Sequence, residues 1–131
     1  MKMNEAVRNQ ALEDLCIKVR NLVNLREFDP CREVICQAMC DYPCAPQPHN
    51  LMGVVMELTG EHSTAMRHFR AAAALDPTYT PARENLTTYG TLHSSGRICF
   101  DESDCRDENA PRVDVDYSRH GIGHALRRKC S

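Results

Sequence analysis

Cysteines and histidines are the side chains of this sequence best placed to bind a metal or act as nucleophile and base. Cys99 and Cys105 are followed by His120 and His124, and two thiols with two imidazoles could build a tetrahedral zinc site. The i, i+4 spacing of the histidines suits one face of a helix. Against this, the Cys99–Cys105 spacing is wider than in the usual zinc motifs, and Gly121 and Gly123 weaken a helix between the histidines. The competing reading is a solvated tail that holds no cofactor, so zinc stands as the alternative. Cys36, Cys40 and Cys44 recur at four-residue intervals, but Pro43 breaks a helix before Cys44 and His49 is the single histidine near them. Small helix residues and a loop thiol account for them more simply. No cysteine sits in a motif that would supply a base and an oxyanion site, and no glycine-rich phosphate loop follows a strand. His62 and His68 read as surface groups. The expectation is a non-catalytic protein.

Composition narrows the class further. The 131 residues suffice for one ordinary domain, and the net charge of −2 with 26% charged residues offers no broad attraction to nucleic acid or to an anionic membrane. No apolar run approaches the ~20 residues of a membrane span. Met1–Glu5 leads into an amphipathic stretch rather than a signal-peptide core, so the sequence-based expectation is a cytoplasmic protein with reduced thiols, despite an even count of 8 cysteines. The absence of Trp and an aromatic content of 5% suit a helical core of aliphatic residues, Ala, Met and Cys.

Helical spacing organises most of the chain. Val7, Ala11, Leu15, Val19, Leu22 and Val23 form one apolar stripe between Asn4 and Leu25. Phe28-Asp29-Pro30-Cys31 reads as a helix start, with Asp29 as cap, and the helix carries Val34, Ile35, Ala38 and Met39 before Pro43. A third helix holds Met52, Gly53 and Met56 and breaks at Gly60. A fourth holds Ala65, Phe69 and Ala72 and ends near Leu75, ahead of Pro77. Thr80-Pro81 opens a fifth, with Leu86 and Tyr89 inward and Arg83, Glu84 and Thr88 outward.

The order and spacing of Gly53, Met56, Gly60, Ala65, Phe69, Ala72 and Pro77 resemble one tetratricopeptide repeat, in which small residues at the helix crossing let two antiparallel helices approach closely. Shifting by 34 places Val19, Leu22, Cys31, Ile35, Ala38 and Pro43 on Gly53, Met56, Ala65, Phe69, Ala72 and Pro77, so residues 12–45 resemble a degenerate first repeat. It departs at Val19 and at Arg26, which replaces Gly60 and implies a looser hairpin or a shifted turn. The resemblance implies an all-α fold: a right-handed superhelical stack of hairpins over 1–93, with repeats at about 12–45 and 46–79 and a capping helix at about 80–92. Residues 94–131 fall outside it, and their change in composition leads us to expect a poorly structured tail.

It also implies a protein or peptide partner in a concave groove. Projected onto this chain, the groove positions are Arg20, Asn24, Asn50, Val54, Glu57 and Arg83. The family's clamp for C-terminal carboxylates is not reproduced, because Leu51 and Pro81 stand where polar residues would be needed. Two repeats cannot readily cover their own apolar faces, so either the termini fold back as covers or two copies form a homodimer. The remaining alternatives are a small metal or redox module built on the tail cysteines and histidines, and an accessory subunit of an enzyme. In the tail, Arg97–Phe100 could be a short strand or turn, and Pro111–Tyr117 alternates with strand periodicity.

Overall fold

The computed structural model describes residues 4–90 and 98–105. Among them the fold is all-α, with helices α1 (Glu5–Asn24), α2 (Phe28–Asp41), α3 (Pro46–Leu58), α4 (His62–Leu75) and α5 (Thr80–Gly90), then a 3-10 turn at Glu102–Asp104. Asn4 caps α1 by accepting from the Val7 N–H at 2.8 Å. Asp29 does not cap α2, which begins at Phe28; its carboxylate instead accepts from Arg32 inside the first turn. Pro30 is tolerated there because the first helical N–H groups have no intrahelical partner.

Each helix packs on the next across the short connections 25–27, 42–45, 59–61 and 76–79, and α1 also packs on α3, and α3 on α5. Packing of this kind is that of a stack of helical hairpins. The 34-residue interval appears in the geometry: α2 spans 28–41 and α4 spans 62–75, an offset of 34 at both ends. The turns repeat too. The N–H of Glu27 donates to Leu22 O at 2.9 Å, and that of Glu61 to Met56 O at 2.8 Å. Arg26 adopts φ 59° where Gly60 has φ 89°, so the first turn is neither looser nor shifted. A left-handed non-glycine residue costs about 1 kcal/mol, and the Arg26 guanidinium lies 5.4 Å from the centre of the Phe28 ring, a compensating contact.

The second hairpin closes on Gly53. A Cβ built there would lie 2.5 Å from Cε1 of Phe69, whose ring is wholly buried and stacks on Tyr89 at 6.0 Å. In the first hairpin the equivalent residues are Val19 and Ile35, both fully buried. A smaller partner than Phe leaves room for a side chain where the second hairpin allows none.

His68 is not a solvated surface group. Its ring stacks on His49 at 5.5 Å, with the Nδ1 atoms 3.3 Å apart. Burial lowers the pKa of both imidazoles, and repulsion from His49 lowers that of His68 further. The unfolded chain, with ordinary histidines near 6.5, therefore takes up protons that the folded chain refuses as pH falls below that value. Stability is expected to drop between pH 7.5 and 5.5. Urea midpoints at the two pH values should separate for the parent chain and converge for His49→Gln/His68→Gln; an equal separation in both proteins would reject the assignment.

Candidate functional site

Ile98–Cys105 lies across α1, α3 and α5, and three polar side chains hold it. Asn50 and Asn85, both fully buried, come from α3 and α5. The Asn85 amide pairs with the main chain of Cys99 in both directions: Cys99 N–H donates to Asn85 Oδ1 at 2.9 Å, and Asn85 Nδ2 donates to Cys99 O at 2.8 Å. The same carbonyl accepts from Asn50 Nδ2 at 2.9 Å, while Asn85 Nδ2 also reaches Asn50 Oδ1 at 2.8 Å. Two buried amides are thereby satisfied by each other and by the main-chain N–H and C=O of one residue, as burial requires.

Arg20, on α1, holds the far end of the segment. Its guanidinium donates to Asp104 Oδ1 at 3.1 Å and Oδ2 at 2.7 Å, lies 3.4 Å from Asp101, and covers the Phe100 ring at 4.8 Å. Burial alone would raise the Asp104 carboxyl, but the Arg20 hydrogen bonds and the N–H groups of Phe100 and Asp101 outweigh it and hold the group below its usual range. Asp101 in turn caps the 3-10 turn, accepting from Ser103 N at 2.9 Å. Cys99 and Phe100 are buried, so the segment supplies apolar cover as well as polar contacts. It forms no strand; among the described residues none is found.

The six projected positions do not converge on one place. Arg20 and Asn50 contact the segment. Val54 is buried in the core next to them along α3. Glu57 is turned to the α3–α4 connection, where its carboxylate meets His62 at 2.8 Å. Asn24 and Arg83 are exposed, and among the described residues no hydrogen bond ties either side chain to the segment. Asn85 was not among the projected positions, and Thr88, expected to face water, is buried. A usable signal existed: Asn85 lies 34 residues after Leu51, which is fully buried, and a polar side chain in a core register needs a partner.

The chain matches no family model, no curated protein and no solved structure. Its function must be argued from its own geometry.

Of the candidate zinc ligands, Cys99 and Cys105 belong to the segment, while His120 and His124 lie outside the described residues. Among the described residues no group of three or more His, Cys, Asp or Glu side chains is arranged to hold a metal ion. Cys36, Cys40 and Cys44 are all exposed. A cleft of about 290 Å³ lies beside the segment, lined by Leu12, Cys16, Tyr79 and Asp101 among others. Burial, assisted by Asp101, pushes the Cys16 thiol up to about 12, so it stays protonated at neutral pH and is a poor nucleophile. The termination of α5 near Leu92 and the alternation over Pro111–Tyr117 also fall outside the described residues. Among those residues no helix is long and apolar enough to cross a membrane.

Proposed function

We propose that this chain is a tetratricopeptide-type interaction module of two hairpins and a capping helix, which holds a short peptide across α1, α3 and α5 without doing chemistry on it. The carrying observation is the segment 98–105 itself. It already occupies that face as a ligand would, its main chain bonded to Asn50 and Asn85 and its carboxylates to Arg20. The main-chain contacts at Cys99 give affinity that does not depend on side chains, and the side-chain sites give selectivity for the residues that follow. Here those sites accept an aromatic ring followed by acidic residues. In this reading the chain's own tail is the resident occupant, and an outside peptide must displace it. A short tether gives the resident segment an effective concentration in the millimolar range.

The test uses the full chain with Phe100→Ala/Asp104→Ala, which weakens the resident segment and leaves Arg20, Asn50 and Asn85 intact. A labelled peptide spanning residues 97–105, with serine for both cysteines, should bind this variant at least about tenfold more tightly than the parent chain, by the loss of tethered competition. Adding Asn85→Leu should abolish the binding. Anisotropy that is flat for every variant, or undiminished by Asn85→Leu, would sink the reading.

A further inference from the structure

The cysteines of the described residues occupy different kinds of place. Cys16 and Cys31 are buried in the core, the latter with its thiol 3.9 Å from Val19 O, and Cys36, Cys40 and Cys44 are exposed on α2 and the loop after it. Cys99 and Cys105 share one turn. The Cys99 thiol donates to Asp104 O at 3.7 Å and the Cys105 thiol to Asp101 O at 3.8 Å, so each sulfur leans across the turn toward the other's end of it. Between them lie Asp101 and Asp104, which bear the carboxylates that Arg20 holds, and the turn is already fastened by the reciprocal capping of Asp101 and Asp104.

From this arrangement we infer that Cys99 and Cys105 form a dithiol–disulfide site, whose oxidation by a small disulfide such as glutathione disulfide clamps the turn in the shape that fits the groove. Cys105 is partly exposed and Cys99 is 1% exposed, which sets the order of steps. The Cys105 thiolate attacks glutathione disulfide, forming a mixed disulfide and expelling one glutathione thiolate. The Cys99 thiolate then attacks the Cys105 sulfur and expels the second. Two protein thiols and one glutathione disulfide become one intramolecular disulfide and two molecules of glutathione, which take the two protons. Burial and the adjacent Cys99 hold the Cys105 thiol well above the ordinary range, so exchange is slow and the site is best read at equilibrium.

The site stands on the geometry of the turn; its consequence for binding rests on the peptide-groove reading above. A bond that closes residues 99–105 removes conformations open to the detached segment but not to the seated one. The oxidised chain therefore releases its segment less readily, and an outside peptide binds it about tenfold more weakly than the reduced chain.

The experiment equilibrates the full chain, carrying Cys36→Ser/Cys40→Ser/Cys44→Ser and Cys130→Ser so that only the buried Cys16 and Cys31 remain beside the pair, in glutathione buffers of graded ratio. Acid quenching, alkylation and peptide mass mapping then quantify the Cys99–Cys105 pair, in native protein and in urea. The native fold should favour the bond by about tenfold or more over the unfolded chain, and Asn85→Leu, which releases the segment, should remove that advantage. Equal or inverted midpoints in native protein and urea, or an advantage that survives Asn85→Leu, would overturn the site. In the second arm the labelled peptide is titrated into oxidised and reduced chain, with Cys99→Ser/Cys105→Ser as the redox-blind control. Equal affinities with the bond in place overturn the gating. If the peptide binds no form, including the variant with a weakened resident segment, the groove reading has failed and the first arm alone decides the thiol pair.

Discussion

Phe69→Ala should destabilise the chain by about 3–5 kcal/mol, a large share of the 5–15 kcal/mol that holds a domain of ordinary size together. The ring is fully buried, stacks on Tyr89 and fills the space that Gly53 leaves open on α3. Its removal takes away both the apolar burial and the contacts that seal the second hairpin. The pairing with Gly53 makes the expectation specific. In the parent chain, Gly53→Ala drives a methyl against a fully buried ring that must shift to admit it, an overpacking loss of about 1–3 kcal/mol, offset by the ~1 kcal/mol that alanine gains over glycine inside a helix. With Phe69→Ala already present the clash is gone, and the same substitution should stabilise. Urea unfolding of the four proteins in this cycle measures the coupling directly. If Gly53→Ala loses as much in both backgrounds, the crossing is not closed by this ring.

Asn85→Leu should free the segment 98–105 while leaving the five helices folded. Leucine has the same branched skeleton of side-chain heavy atoms as asparagine and is the residue at the same register one repeat earlier, at position 51. The change removes both Asn85 hydrogen bonds to the main chain of Cys99 and the bond to Asn50. A buried polar group deprived of its partner costs about 1–3 kcal/mol, and detachment lets water satisfy the Cys99 groups instead. Cys99 reports the event, because a buried thiol is alkylated only when its segment opens. Pulsed alkylation with mass mapping should find it reacting about a hundredfold faster in the variant, with far-ultraviolet circular dichroism unchanged. Equal protection of Cys99 in both proteins would mean that other contacts hold the segment.

Helices were legible because their signals are local. Pro43, Gly60 and Pro77 mark ends by backbone chemistry, and the apolar stripes mark faces, so α2, α3 and α4 lie where the spacing puts them. The conformation at Arg26 was not legible, since the turn is imposed by the hairpin against the residue's own preference. The segment 98–105 carries no helical or sustained strand period, and its place depends on partners 14 to 84 residues away. Asn24 and Arg83 were projected inward by analogy of position alone, whereas Asn50 and Asn85, the residues that read the main chain, are distinguished by being polar where apolar burial is the rule.

In the peptide-groove reading, the main chain at Cys99 sets a condition on any competitor for its place. Its N–H is consumed by Asn85, and its carbonyl is shared between Asn50 and Asn85, so both of its hydrogen-bonding groups are engaged at once. A chain lying there is thus locked in frame and in polarity: a one-residue slip, or entry from the opposite end, would leave the amides facing the wrong atoms. Proline is barred from that one locus in any competitor because it has no hydrogen to offer, while the neighbouring loci stay open to it as far as the amide contacts are concerned.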